Sequence, residues 1–156
     1  MITDQASEFA STLPDGGVLL GLDLGTKTIG LALCDAGWRF ASADKTLGRG
    51  KWSRDRERLA VLIAERSVKG LVLGLPRNMD GSEGPRAQAS RAFARNCAQA
   101  YALPVLLWDE RWSTQSAEAA MIGQDMSRAK RAEAIDAHAA AVILQGAIDR
   151  LAGGVI

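Results

Sequence analysis

The first half of the chain alternates short apolar runs with polar turns. Residues 18–24 are almost entirely apolar and end at Gly25, and a second apolar run covers residues 29–34. Apolar runs of this length between turn residues predict buried strands. Because only a short turn separates them, the two runs predict an antiparallel hairpin. A third strand is expected over residues 39–46.

The second half of the chain alternates helical and strand patterns. It predicts helices over 55–67, 86–101 and 132–151, strands over 71–75 and 105–110, and a helix capped by Ser113 or Thr114 that ends near residue 122. Three meandering strands followed by such an alternation indicate an α/β fold. We expect a five-stranded mixed sheet flanked by helices, in a single domain over residues 17–152 that follows a flexible leader over 1–16.

Length and composition fit a globular domain. The chain has 156 residues, of which 47% are hydrophobic and 24% are charged, and no apolar run is long enough to cross a bilayer. Cys34 and Cys97 match neither a disulfide framework nor a zinc pattern, which predicts a reducing, cytoplasmic location. Cys97 lies at helical spacing from Phe93 and Tyr101, so we expect a core thiol.

The net charge is only +1, but basic residues are concentrated in two segments. The first contains Lys45, Arg49, Lys51, Arg54, Arg56 and Arg58, with Trp52 among them, and the second contains Arg128, Lys130 and Arg131. Phosphate binding depends on such local clusters and not on the total charge. Each segment is compatible with phosphate binding or with an ordinary solvated face, and the second segment is predicted to be a loop.

Three acidic residues occupy positions where the local pattern calls for apolar ones. Asp23 interrupts a leucine-rich strand, Glu110 follows Asp109 at the end of another, and Asp136 shares a helical stripe with small apolar residues. Carboxylates in apolar surroundings are costly, and several together raise one another's pKa. A divalent cation removes this conflict because it favours ionised oxygen ligands.

A carboxylate cluster of this kind is suited to two-metal phosphodiester hydrolysis with Mg²⁺ or Mn²⁺. Each residue also has a structural interpretation: Asp136 as an acid near a helix N-terminus, and Asp109 or Glu110 as a strand end that faces water. Asp23, between apolar neighbours, is the hardest to explain in this way. An Asp-x-Gly-Thr turn also opens sugar kinases, actin and Hsp70-type ATPases, but those proteins are built from two such domains, whereas we expect a single domain here.

Four blocks of the sequence resemble the bacterial pre-16S rRNA nuclease family, which is also described as Holliday junction resolvases of the YqgF or RuvX type. The blocks are Gly21-Leu22-Asp23-Leu24-Gly25-x-Lys27-x-Ile29-Gly30, Gly74-Leu75-Pro76-x-Asn78-Met79-Asp80-Gly81-Ser82, Trp108-Asp109-Glu110-Arg111 and Asp136-x-x-Ala139-Ala140-x-x-Ile143-Leu144-Gln145. They occur in the family's order and span residues 21–145, nearly the whole chain.

The resemblance implies a ribonuclease H-like sheet with strand order 3-2-1-4-5, counting the five predicted strands along the chain. It implies a nuclease that matures the 5′ end of small-subunit ribosomal RNA, with the ribosomal subunit as a possible partner. Asp23, Glu110 and Asp136 would be the catalytic and metal-binding acids, and the loop over residues 76–82 would border the site. The expected nucleic-acid contacts are Lys27, Arg77, Asn78, Arg111, Arg128, Lys130 and Arg131, although Lys27 and Arg111 fit equally well as salt-bridged structural cations.

The sequence departs from the family pattern at a few positions. Thr28 stands where the family usually has Arg, and Trp112 and Ser113 replace an aliphatic or Phe residue and a Thr. Ala139 occupies the place of a fourth acid found in RuvC-type resolvases. His138 lies on another side of the helix and is interpreted as structural or surface.

Two alternatives to an RNA nuclease stay open. A resolvase acting on branched DNA should be a two-fold dimer, whereas an RNA nuclease can be a monomer or a homodimer. A non-catalytic ribosome-assembly module that only binds nucleic acid has no use for a negative pocket. RNA and DNA differ in the 2′-hydroxyl, and no residue of the sequence is identified as its reader.

Overall fold

The described part of the chain contains a mixed sheet of six strands. A computed structural model describes the backbone of residues 1–112 and 128–153, and the side chains of 1–111 and 137–153. The strands are β1 (Ile2–Thr3), β2 (Leu19–Leu24), β3 (Thr28–Cys34), β4 (Ala41–Gly48), β5 (Gly70–Leu75) and β6 (Val105–Asp109). Their order is β1-β6-β5-β2-β3-β4. The pairs β2–β3 and β3–β4 are antiparallel, and the other pairs are parallel.

The five strands expected from the sequence are present in the expected order, and β1 is an additional sixth strand at the edge. β1 pairs with β6 through Ile2 and Val105. The helix that follows buries Phe9 completely, with its ring packed against the backbone at Gly70. The expectation of a flexible leader is therefore wrong for these residues. A two-residue strand and a single aromatic anchor are too short to produce a periodic pattern.

Three helices lie close to the predicted positions, apart from an earlier start of the last one, and a further short helix falls in the expected leader. They are α1 (Ala6–Ser11), α2 (Trp52–Arg66), α3 (Pro85–Tyr101) and α4 (Arg128–Ala152), and a 3-10 turn covers Glu110–Trp112. The segment over 128–131, expected as a basic loop, is instead the first turn of α4. Residues 128–145 are rich in Ala and contain neither Gly nor Pro, which favours helix from the start of this segment. The helix expected over 113–122 falls outside the described residues.

The two faces of the sheet are covered by different helices. Leu20, Leu22 and Leu24 join the apolar cluster that contains α2 and α3 residues. Leu19 belongs to the cluster formed with α4 and Phe9. Residues at even spacing in a strand share a face, so Gly21 and Asp23 lie on the α4 side. None of the helices in the described part of the chain has the length and apolarity that a membrane span requires.

The packing of α2 on α3 confirms the prediction for Cys97 and defines the surroundings of Trp52. Cys97 is buried as expected for a core thiol. Trp52 makes an edge-on contact with Phe93 at 5.4 Å between ring centroids and a second with Tyr101. Trp52 therefore packs between the helices as part of the core.

Candidate active site

Strand alternation brings Asp23 and Glu110 to the same face of the sheet. Asp23 is the next-to-last residue of β2, and Glu110 is the first residue after β6. β5 lies between these two strands, so a contact between the two carboxylates has to pass over β5. This contact is present: the side chains of Asp23 and Glu110 are hydrogen-bonded to each other.

Gly74 on β5 provides the space for this meeting. A Cβ atom at Gly74 would lie 2.5 Å from Oε1 of Glu110 and 2.7 Å from Cδ1 of Ile143 on α4. Real Cβ atoms are essentially never found at such distances, so a side chain at residue 74 would force the ends of Glu110 and Ile143 to move. Glycine within a strand commonly marks a close approach of this kind.

Burial and the neighbouring charge of Asp23 raise the pKa of Glu110 to about 7. Desolvation is the largest cause, followed by Coulomb repulsion from Asp23 and the hydrogen bond to Asp23. Asp109 raises the same pKa and Arg86 lowers it. A pair of carboxylates that holds a proton near neutral pH is a pair whose oxygens can instead accept a cation. The donor set therefore fits a hard divalent metal ion.

Helix α4 crosses the sheet directly above Gly21. A Cβ atom at Gly21 would lie 2.8 Å from Cβ of Leu144 and 3.0 Å from the carbonyl oxygen of Ala140. Farther along α4, Gln145 accepts a hydrogen bond from the Ala41 amide at 2.8 Å, at the opposite end of the sheet from Asp23. The helix therefore runs away from the Asp23 end, and its earlier turns approach that end.

The predicted stripe on α4 is present where the structure describes it. Ala140, Ile143 and Ala147 are buried, and residue 136 precedes Ala140 by about one turn. The side chain of Asp136 lies outside the described residues. His138 is half-buried, and its Nε2 has no hydrogen-bond partner among the described residues.

Among the described side chains, no group of three His, Cys, Asp or Glu residues is placed to hold a metal ion. Asp109 points to the other face of the sheet, where only 3% of it is exposed. Its Oδ2 accepts a hydrogen bond from Nη2 of Arg111 at 2.6 Å and lies 3.5 Å from Nη1 of Arg77. Hydrogen bonds from Arg111 hold the pKa of Asp109 below its usual value. Asp109 thus anchors arginines and does not join Asp23.

The loop after β5 is held by its own side chains. The side-chain amide of Asn78 donates a hydrogen bond to Oγ of Ser82 at 2.9 Å. The backbone amide of Asn78 donates a second one to the Ser82 carbonyl. Arg111 donates to the Met79 carbonyl at 3.4 Å. Arg77 also contacts Glu83 at 3.4 Å. Arg77, Asn78 and Arg111, expected as nucleic-acid contacts, therefore all have partners within the chain.

The remaining predicted contacts differ in what the structure describes. Lys27 is exposed in the turn between β2 and β3, and its carbonyl accepts a hydrogen bond from the Arg49 amide at 2.8 Å. The side chains of Arg128, Lys130 and Arg131 lie outside the described residues.

A family model described as RuvX, Holliday junction resolvase, matches residues 17–150. The chain belongs to the RuvX family. Relatives from Novosphingobium aromaticivorans and Sphingopyxis alaskensis are 63% and 64% identical, over 98% and 97% of this chain and 98% and 99% of their own lengths. Both carry the name "Putative pre-16S rRNA nuclease". RuvX proteins are a nuclease family, so this chain is a hydrolase.

Solved structures of a more distant nuclease share the fold of this RuvX chain. RuvC of Thermus thermophilus in complex with a Holliday junction aligns with a TM-score of 0.56 at 14% identity, covering 88% of this chain and 97% of RuvC. A second RuvC structure aligns with a TM-score of 0.51. The ribonuclease H-like fold is thereby shown.

Three residues of this RuvX site were not identified from the sequence. Gly74 stood in an apolar run, and the break in that run was a usable signal. Arg86 donates a hydrogen bond to the Leu24 carbonyl at 3.3 Å, and Arg49 donates to the Gly25 carbonyl at 2.9 Å. No local pattern indicates that two arginines distant in sequence reach the turn that follows Asp23.

Proposed function

We propose that the chain hydrolyses phosphodiester bonds in precursor 16S ribosomal RNA, with divalent cations held by Asp23, Glu110 and Asp136. The observation that carries this proposal is the hydrogen-bonded pair of Asp23 and Glu110 above Gly74. Two carboxylates brought together in a half-buried position repel each other unless a proton or a cation lies between them. A purely structural site has no need for two carboxylates that repel each other. A metal site needs them, because the cation is bound by both.

Asp136 is the third acid of the proposed site. Residue 136 lies on α4 one turn before Ala140. Because Ala140 packs over Gly21 and the earlier turns of α4 approach the carboxyl end of β2, the backbone of residue 136 belongs to the part of the helix nearest that end. Mg²⁺ or Mn²⁺ bound to such oxygens supplies an activated water and stabilises the leaving oxygen. Gly74 leaves space for the Glu110 carboxylate, and the close packing on Gly21 fixes the path of α4, the helix that carries residue 136.

RNA is the proposed substrate because the relatives at about 60% identity are named for pre-16S rRNA. The ribosomal subunit is the proposed context of the reaction. We place the reaction in the cytoplasm, since Cys34 and Cys97 are both free and buried, as expected in a reducing compartment.

Branched DNA is the second candidate substrate. The family description names a Holliday junction resolvase, and the aligned RuvC structure contains that substrate. A resolvase introduces paired cuts related by two-fold symmetry and therefore acts as a dimer. Symmetric cutting thus separates the two candidates.

Cleavage of three labelled substrates tests the proposal. They are a precursor RNA with its 5′ extension, a single-stranded DNA of the same sequence and a four-way DNA junction, each with Mg²⁺, Mn²⁺ or EDTA. We expect metal-dependent cutting of the RNA, lost in Asp23→Asn and Glu110→Gln. The matched control is Glu57→Gln, which removes an exposed carboxylate on α2 and should leave cleavage unchanged.

The other outcomes have definite meanings. Paired symmetric cuts in the junction, with no cutting of the RNA, would assign the chain to branched DNA. Binding without cleavage under every metal condition would reject the nuclease proposal for the isolated protein and favour a binding module.

A further inference from the structure

The arginines around the end of the sheet that carries Asp23 fall into two groups. Arg77, Arg91 and Arg111 are committed to carboxylates: Arg91 binds Glu83 through two hydrogen bonds of 2.6 and 2.7 Å, and Arg77 and Arg111 bind Asp109. An arginine that neutralises a carboxylate must break that pair before it binds a phosphate. This side of the site, next to the loop over 76–83, therefore offers little free positive charge.

Arg49 and Arg86 belong to the second group. They come from different elements, the segment after β4 and the first turn of α3, yet they donate to the consecutive carbonyls of Gly25 and Leu24. Both side chains are exposed. Among the described residues neither forms an ion pair, and their acceptors are neutral backbone oxygens.

The connection that carries Arg49 is held firmly in place. The Arg49 amide donates to the Lys27 carbonyl at 2.8 Å, and the Gly50 amide donates to the buried carboxylate of Asp55 at 2.9 Å. Arg54 and Arg58, the neighbouring cations, both lie within 3.7 Å of Asp55. Arg54 and Arg58 therefore neutralise Asp55, whereas the guanidinium of Arg49 lies at the turn between β2 and β3.

We propose that Arg49 and Arg86 form an arginine clamp that binds the phosphate backbone of a single-stranded RNA beside the carboxylates. Guanidinium forks bind phosphate oxygens more strongly than a neutral carbonyl, so a phosphate can replace the carbonyls of Leu24 and Gly25 without breaking an ion pair. Since Leu24 directly follows Asp23, the clamp directs the strand over the turn between β2 and β3. The proposal rests on the proposed function for the identity of the strand.

Salt dependence of RNA binding tests the clamp directly. The probe is a fluorescein-labelled single-stranded RNA from the 5′ extension of the precursor, titrated with the full chain in EDTA at increasing potassium chloride. Each phosphate contact contributes about 0.7 to the slope of log K against log salt for single strands. We expect Arg49→Gln and Arg86→Gln each to lower the slope by about that amount, with a larger loss in the double variant.

Two exposed arginines on α2 and α3 serve as matched controls. Arg56→Gln on α2 and Arg95→Gln on α3 remove one charge each, away from the turn after Asp23. These controls should keep the wild-type slope. Equal slopes for the clamp variants and the controls, or no RNA binding by the wild-type chain, would overturn the proposal.

A second pair of variants keeps the proposal testable if the glutamine variants do not fold. Arg49→Lys and Arg86→Lys keep the charge but lose the planar fork, so weaker binding with a retained slope supports the clamp, and wild-type affinity contradicts it. Cleavage in Mg²⁺ is followed in parallel. Unchanged slopes with intact cleavage reject the clamp alone, whereas lowered slopes without wild-type cleavage support the clamp and reject the nuclease proposal.

Discussion

Glu110 reaches Asp23 across β5, above a residue that has no side chain. Gly74 lies between the two strands that carry these acids, and a Cβ there would meet the Glu110 carboxylate. The pairing of the acids thus depends on a third strand that contributes only space. A substitution at Gly74 should therefore disturb the site without removing any carboxylate.

We predict that Gly74→Ala lowers nuclease activity much more than stability. The added methyl would meet the far ends of two side chains, Glu110 and Ile143, which can rotate away at a cost of about 1–3 kcal/mol. Rotation of Glu110, however, separates it from Asp23. Cleavage assays and urea unfolding measure the two effects. Gly48→Ala is the control, since its Cβ would enter open space, and equal activity of both variants would show that the Glu110 position is not critical.

We predict that Glu110 titrates near pH 7 in metal-free protein and that Asp23→Asn lowers this pKa. Asn removes the negative charge of Asp23, while burial, the largest cause, keeps the pKa above its usual value. Because the folded-state pKa is raised, the stabilising contribution is present below the unfolded pKa of about 4.3 and is lost as pH rises through 7. Carboxyl NMR of Glu110 checks the pKa, and urea unfolding across this range checks stability. An unchanged pKa in Asp23→Asn would contradict the described contact.

The strands and the two acids could be predicted from the sequence because their signals are local. Apolar runs between turns indicate buried strands, and Asp23 stands out within such a run. The contacts that depend on distant residues could not be predicted. The pair of Asp109 and Arg111 is local and agrees with the alternative interpretation of Arg111 as a salt-bridged structural cation. Nothing near Arg77 in sequence, however, shows that it also reaches Asp109, and nothing near Arg86 shows that it reaches Leu24.

The N-terminal residues illustrate a second limit. Ile2 and Phe9 are isolated apolar residues in a polar segment, so they produce neither the period of a strand nor that of a helix. Their positions follow from what the folded domain offers, namely the open edge of β6 and the space above Gly70. The positions of Ile2 and Phe9 therefore depend on tertiary contacts, which a local sequence pattern does not reveal.

We predict that Asp109→Asn costs about 1–3 kcal/mol at neutral pH and progressively less as the pH falls below the unfolded pKa of Asp109. The buried carboxylate accepts hydrogen bonds from Arg111 that lower its pKa. A lowered pKa gives stability that is present above the unfolded value of about 3.9 and is lost as pH falls through the folded value. Urea unfolding from neutral pH into the acid range measures the difference in stability between Asp109→Asn and the unsubstituted chain. Asp44→Asn, which removes an exposed pair at 3.9 Å with Arg66, should cost less than about 1 kcal/mol, and an equal cost for both would contradict the role of Asp109.

We predict that both thiols are unreactive in the native protein. Burial raises the pKa of Cys97 to about 12 and also raises that of Cys34, and the thiolate is the reactive form. Ellman's reagent at pH 8 should react with neither thiol until the chain opens, and with both in urea. The variants Cys34→Ala and Cys97→Ala assign any signal. Reaction of either thiol in native buffer at the rate of free cysteine would mean that its side chain is accessible, which is incompatible with the packing of α3 or α4 on the sheet described above.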